Sequence, residues 1–406
     1  MSRLAKLIVI SLSVVVFFYI ALGYVLGKTG EDKSYRALTV YGEVLQHIQQ
    51  DYVEEPNLPL VTAGALHGLL ESLDAQSGYL SPREYADYRQ KLQKGGKDQI
   101  GVALSKRFGY IVVVAVLPDS PAQKAGLHSG DILEAIAGFT TREMSIKQAQ
   151  ILLAGNPGAA VKLAVVRRGR TEPQQVELVR AQLAPQHVLV DRPAQDIAYL
   201  RVPTLDAGKA NELREKLLQF DRQGVHKLVL DLRDCAQGEA SEAIAVARLF
   251  VPSGTLATLR GQTVAKQEFA ADPSKVAWKY PLEVLISWST SGPAEVLAAA
   301  IAGNHRGELV GERTIGSASE QKLIPLDDGA AVVLTVANYY GPAGKPIPEE
   351  GVAPTVEVRA ATDEPLDAGD TEGPAMPPEQ QPGSRSDDPV LKKAIELLQG
   401  QARKAA

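Results

Sequence analysis

Between residues 34 and 93 the apolar positions recur at helical spacing, in YRALTVYGEVLQHIQQDYV and again in LVTAGALHGLLESL. That pattern predicts a helical region that ends at the turn DAQSGYLSPREY. From about residue 98 the period shortens to that of strands. IGVALSKRFGYIVVVAVL holds two β-rich runs, SPAQKAGLHSGDILEAIAG a short helix and a turn with glycines at 126 and 130, SIKQAQILLAG (145–155) an amphipathic helix, and AVKLAVVRRGR (160–170) a strand. From 184 to 358 strands and helices alternate, which argues an α/β region. DIAYLRVPTL, HKLVLDLRDCAQG and PLEVLISWST read as strands; AGKANELREKLLQF, SEAIAVARLF and the alanine-rich stretch opened by Pro293 read as helices. GAAVVLTVANYYGPAGKPI closes that region, and DPVLKKAIELLQGQARK reads as a short terminal helix.

The N-terminus departs from both periods. Arg3 and Lys6 precede twenty mostly apolar residues, LIVISLSVVVFFYIALGYVL (7–26), enough to cross a hydrocarbon core as a helix. The run is longer than a signal-peptide core and no A-x-A site follows it, so an uncleaved anchor is favoured over a cleaved signal. Positive charge ahead of the run favours a cytoplasmic N-terminus. Under either reading residues 31–406 lie outside the cytoplasm, on the periplasmic side in a Gram-negative cell. A buried helix of a cytosolic protein would need a polar face that this run lacks.

Composition sharpens the layout. Net charge is −5, but 361–389 carries eight acidic residues against one arginine, which leaves the rest slightly positive. That Pro- and Gly-rich segment buries too little apolar surface to fold and is expected to be disordered. No basic patch suggests nucleic acid. A single Cys235 excludes an intramolecular disulfide and a multi-cysteine metal site, and six scattered histidines without an HExxH pattern indicate no metal centre. No cofactor is implied. The domain plan is therefore 1–30 anchor or signal, 31–97 helical, 98–183 β-rich with two helices, 184–360 α/β, 361–389 linker and 390–406 helix.

One stretch raises the question of chemistry. In ISWSTSGPAEVLAAAIAG (286–303) an apolar strand meets small polar residues and then a helix start, the layout that hydrolases use to expose a nucleophilic serine. A serine hydroxyl needs a base, and a lysine serves only if burial keeps its amine neutral. Two backbone N–H groups must then hold the oxyanion.

These pieces resemble the carboxyl-terminal processing peptidases, or tail-specific proteases, over roughly 35–358. The most specific stretches are GALHGLLESLDAQSGYLSPREY, the PDZ-like SPAQKAGLHSGDILEAIAG, VLDLRDCAQG and LVGERTIGSASEQKLIPLDDGAAVVLTVANYYGPAGKPI. The resemblance implies an exported serine endopeptidase fold: an α/β multi-domain chain whose PDZ domain engages substrate C-termini. It also implies a serine nucleophile, a lysine base and an assisting glutamine. The PDZ resemblance places the peptide carboxylate on the loop Gln99-Ile100-Gly101-Val102, with Ile100, Gly101 and Val102 the expected binding residues; a module kept only as scaffold is the alternative.

Carried across position by position, the pattern breaks. The nucleophile, three residues before Glu295, falls on Gly292; the lysine falls on Ser317; Gln321 alone survives. The loop that in the resemblance reads N-P-G-G is Cys235-Ala236-Gln237-Gly238 here, so the expected oxyanion loop is altered at Gln237 before Gly238. Among neighbours, Ser291 is a residue early and differently directed, Ser289 lies earlier still, and Lys322 alternates to the opposite strand face from Gln321. Cys235 reads as a packed thiol and His305 as a solvated turn residue. The expected protein is a degenerate peptidase that binds protein C-termini, with the membrane and an active relative as further candidate partners. An active endopeptidase with displaced groups and a purely structural envelope protein are the alternatives.

Overall fold

The computed structural model describes residues 16–19, 36–93, 98–107, 109–142, 144–167, 170, 172–359 and 388–404. Of the apolar run 7–26 only the exposed helical turn 16–19 is described, and most of the expected linker 361–389 also lies outside the described residues. Among the described residues no helix is long and apolar enough to cross a membrane.

The chain divides into two compact units, one ending at Ala65 and one from Leu66 onward. The first holds helix α1 (36–51), whose Leu38, Tyr41 and Val44 are exposed, and the start of α2 (Leu58–Glu71). In the second, β1 (Gly78–Leu80) and α3 (Pro82–Gln93) follow α2. The strand β1 corrects the expectation of an all-helical region up to 97. It sits inside the expected turn, is fully buried, and pairs with a strand some 250 residues later. Three residues are too few to show a period, and their partner is supplied only by the fold.

Residues 98–182 form the β-rich module. The short strands β2 (Asp98–Gln99) and, at the far end, Ala181–Gln182 pair to close its neck. Between them β3 (Val102–Arg107), β4 (Tyr110–Val116), helix α4 (Pro121–Lys124), β5 (Ile132–Ile136), β6 (Phe139–Thr140), helix α5 (Ile146–Leu153), β7 (Ala160–Val166) and β8 (Gln174–Val179) are laid down in order, and the neck's second strand is β9. The sheet runs β3-β4-β5-β7-β8, so β3 is an edge strand. Ser145 caps α5 through a reciprocal pair with Gln148, which satisfies two backbone N–H groups that a helix start leaves free. Ile111, Val113, Leu133, Leu163 and Val165 fill the core beneath α4 and α5.

The remaining chain builds a six-stranded sheet and its covering helices. In chain order these are β10 (Leu189–Ala194), β11 (Ile197–Arg201), α6 (Lys209–Arg222), β12 (Lys227–Asp231), α7 (Ala240–Arg248), β13 (Thr255–Arg260), β14 (Gln267–Ala270), β15 (Leu282–Ile286), α8 (Pro293–Gly303), β16 (Glu308–Gly311), β17 (Ser319–Pro325), β18 (Ala331–Tyr340), β19 (Val356–Glu357) and α9 (Pro389–Lys404). The sheet order is β10-β11-β12-β15-β16-β19, parallel except for β10. Leu228, Leu230, Leu282, Val284 and Ile286 face α6, α7 and α8, whereas Val229, Leu285 and Val310 face α9. Burial on both sides explains why LVL and VLI read as unbroken apolar runs. The hairpin β17–β18 leaves this layer and joins β1, β13 and β14 in a second, antiparallel sheet.

Candidate functional site

Strand β15 leaves the central sheet through Ser287–Gly292 and enters α8. Ser287 Oγ lies 2.8 Å from Ser289 Oγ, the Asp234 N–H donates to Ser289 Oγ at 3.2 Å, and Thr290 Oγ1 donates to the Leu232 carbonyl at 2.9 Å. The Ser291 N–H donates to the Cys235 carbonyl at 3.0 Å. Two hydroxyls of this cluster, those of Ser289 and Thr290, and the Ser291 amide therefore tie the turn to the loop after β12. Ser291 is buried, and among the described residues its own hydroxyl has no hydrogen-bond partner.

Gly292 is the N-cap of α8, at φ 57° and ψ −115°. Positive φ with that ψ is a strained backbone for any side-chain-bearing residue. It is the sharp strand-to-helix bend that exposes a nucleophile at a helix N-terminus. A Cβ built there would meet nothing within 4 Å. The bend and the open space are present; the hydroxymethyl group is not.

Glu295, one helical turn on and fully buried, organises the surroundings. Its Oε2 accepts from the Gly292 N–H at 2.8 Å and the Ser317 N–H at 2.7 Å; its Oε1 accepts from the Gly316 N–H at 2.6 Å and the Thr314 hydroxyl at 2.5 Å. One carboxylate oxygen thus holds both positions that sequence comparison singled out, so their amides lie no farther apart than two hydrogen-bond lengths. Burial pushes the Glu295 carboxyl above its ordinary value, and the Thr314 hydroxyl and the three amides oppose that rise. The sequence used Glu295 only as a landmark. Its place three residues after the cap, the usual position for a carboxylate that reaches back to the cap N–H, was the available signal. Gln76 adds a further tie, donating to the Ser317 carbonyl at 2.9 Å.

Ser317 is half-buried. Gln321, on β17, is exposed and donates to Ser319 Oγ at 2.9 Å; it is not joined to Gly292 or Ser317. Lys322 is exposed, and among the described residues no lysine amine is hydrogen-bonded to a serine hydroxyl. Cys235 is fully buried, and burial pushes its thiol far above the ordinary value, so it is a packed thiol. His305 is an exposed turn residue at φ 54°. Among the described residues no cluster of three or more His, Cys, Asp or Glu side chains is placed to hold a metal.

The altered loop has a rigid backbone. Leu205 N–H donates to the Gln237 carbonyl at 2.8 Å, and Glu239 N–H donates to the Leu205 carbonyl at 2.9 Å. Gly238 sits at φ 125°, and a Cβ there would lie 2.3 Å from the Leu205 backbone, so only glycine fits. In the β-rich module Ile100 is buried, and Gly101 at φ 85° presses on Ser120, where a Cβ would come within 2.2 Å of the Ser120 Cβ. The Gly101 carbonyl accepts from Leu117 N–H and the Ile100 carbonyl from Ala122 N–H. These bonds hold a narrow loop at the N-terminal end of α4, with Ile100, Gly101 and Val102 consecutive at the head of the edge strand.

The DLRD motif is structural. Asp231 is fully buried, accepts two bonds from Arg233 Nε and one from Nη2 at 2.6 Å, and takes the Tyr199 hydroxyl at 2.7 Å. Arg233 also pairs with Asp388 at 2.8 Å, and Asp388 caps α9 by accepting from Val390 and Leu391 N–H. Burial alone would raise the Asp231 carboxyl; the charge and hydrogen bonds of Arg233, with Arg201 and Tyr199, outweigh it and hold it below its ordinary value.

A match to peptidase family S41 covers residues 196–358, and a match to the PDZ domain covers 112–167. A carboxyl-terminal-processing protease from Synechocystis is 30% identical over 315 residues, 76% of this chain and 73% of that protein. The chain belongs to the carboxyl-terminal processing proteases of family S41. A second relative, carboxy-terminal processing protease CtpA of Bacillus subtilis, is 26% identical over 83% of this chain and 71% of its own length. The fold superposes on a photosystem II D1 C-terminal processing protease with a TM-score of 0.65 at 25% identity, covering 79% of this chain and 92% of that one. The module at the edge strand β3 is thereby the family's PDZ domain.

Proposed function

We propose that this family member is a catalytically silent, membrane-anchored protein that binds peptide or protein C-termini through its PDZ domain, as an adaptor or as a regulator of an active relative. The observation that carries the reading is Gly292: the bend for a nucleophile is kept and the side chain is absent. Ser317 stands where the base is expected and offers a hydroxyl in place of an amine. Residues that act as a catalytic unit lose nearly all their effect together, so no more than a weak background rate is expected. The apolar run 7–26 with Arg3 and Lys6 ahead of it supports a single-pass anchor with the bulk of the chain outside the cytoplasm.

The test pairs residues 31–406 with an active family member in cleavage of an unfolded substrate and in labelling by a fluorophosphonate. The expected result is neither cleavage nor labelling. Covalent labelling at a serine would sink the silent reading. One observation favours the alternative of an active serine endopeptidase with displaced groups: Ser291, buried beside the bend, has a hydroxyl with no hydrogen-bond partner among the described residues. Under that alternative labelling maps to Ser291 and disappears in Ser291→Ala.

A further inference from the structure

The edge strand of the PDZ domain is already occupied. Leu117 N–H donates to the Gly101 carbonyl at 2.9 Å, and the next pair along is Val102 with Val116. Hydrogen-bonded and non-bonded pairs alternate along an antiparallel ladder, so the N–H and carbonyl of Val102 point away from β4. They face the open edge, because β3 has no other neighbour in the sheet. The Val102 carbonyl nevertheless has a partner: the Gln237 carboxamide donates to it through Nε2 at 3.3 Å. At the other end of β3, Arg107 Nη2 donates to the Ile315 carbonyl at 2.5 Å, in the loop that leads to Ser317. The ligand edge is therefore bridged at one end by the loop after β12 and at the other by the loop before β17.

A peptide that adds to this edge places its carboxylate on the N–H groups of the Ile100–Val102 loop and extends along β3. The first outward-facing carbonyl beyond that loop is that of Val102. It must accept the N–H of the peptide's terminal residue, the atom that Gln237 now supplies. A glycine at 237, as the resemblance leads one to expect, would carry no carboxamide and leave that carbonyl free.

We propose that Gln237 is a built-in competitor for the terminal residue of a C-terminal peptide, which enters the β3 edge by displacing the Gln237 carboxamide from Val102. The inference rests on the peptide-binding reading above. Displacement requires only the side chain to swing, because the backbone of 237–239 stays bonded to Leu205. Losing one neutral hydrogen bond that must be broken before binding corresponds to about 2- to 10-fold in affinity.

The experiment measures binding of an extended peptide with a free C-terminal carboxylate, and of its amidated twin, to the full chain in detergent as wild type, Gln237→Ala and Gln237→Met. Methionine keeps the length of glutamine and lacks its donor, and it guards against an alanine variant that fails to fold. Both variants are expected to bind the free-carboxylate peptide about 2- to 10-fold more tightly than wild type, with no comparable gain for the amide. Equal or weaker affinity in the variants overturns the competitor while leaving the peptide-binding reading intact. Absence of carboxylate-dependent binding in all three proteins overturns that reading, and the competitor with it.

Discussion

Replacing Glu295 by glutamine tests whether one carboxylate holds the candidate site together. The change is nearly isosteric, so its effect is electrostatic and hydrogen-bonding in origin. Each Glu295 oxygen accepts two bonds: Gly292 and Ser317 amides at one, Gly316 amide and Thr314 hydroxyl at the other. At the Oε2 position the glutamine NH₂ faces two amide donors and accepts from neither; at the Oε1 position it loses the Gly316 amide and can bond only by the Thr314 hydroxyl turning to accept. Hydrogen bonds to a charged acceptor are worth about 1.5–3 kcal/mol each, and a buried donor left unmade carries its own desolvation penalty. Against that stands the relief of no longer burying a charge, which burial already disfavours here. The net loss is expected to be about 2–4 kcal/mol. Thr314→Val, which removes one donor and leaves the carboxylate three partners, should cost about 1–2 kcal/mol. Urea unfolding followed by tryptophan fluorescence reads both, and hydrogen exchange at Gly316 and Ser317 should quicken in Glu295→Gln before global unfolding. A Glu295→Gln variant within about 0.5 kcal/mol of wild type, with unchanged exchange at those amides, would refute the reasoning.

Further outcomes follow from the same geometry. Gly292→Ser should fold, since a Cβ meets open space, at a strain cost of about 1–3 kcal/mol by thermal melting; fluorophosphonate labelling at position 292 is expected only when Ser317→Lys is added, and labelling without the lysine would show another base at work. Arg233→Ala strands the buried Asp231 and releases Asp388, so it should cost about 3–5 kcal/mol and expose α9 to limited proteolysis. Because Asp231 is held below its ordinary carboxylate value, its contribution is complete above about pH 4 and is lost as pH falls through its lower folded value. The urea midpoint should accordingly drop on acidification below pH 4, and an Asp231→Asn variant should show a shallower drop. Gly101→Val places a branched side chain at φ 85° against Ser120 and should abolish binding of free-carboxylate peptides, as titration calorimetry would register.

Much of this protein was legible along the chain. Helical spacing in 34–71, strand-length apolar runs from 98, and the alternation after 184 follow from short-range periodicity, and the strands and helices stand close to where the pattern put them. Gly292 and Ser317, which the motif register put in one site, both donate their amides to Glu295 Oε2. The reading of Cys235 as a packed thiol needed only the lack of a partnered histidine.

What the chain did not reveal depends on residues far apart in it. Strand β1 is three residues long and gains its identity from β18. The role of Arg233 is completed by Asp388, across a segment of more than 150 residues. Gln321 matches by position, yet the structure turns it to solvent beside Ser319. Gln237 reads in sequence only as a lost glycine, and its donor meets Val102 because the PDZ edge lies against the loop after β12. Sequence by itself determined which elements form and which residue types stand at positions 292 and 317, because those depend on local period and residue identity. The tertiary structure alone decided what each remaining polar group bonds to, because a hydrogen bond is fixed by separations of about 3 Å in space, whatever the distance along the chain.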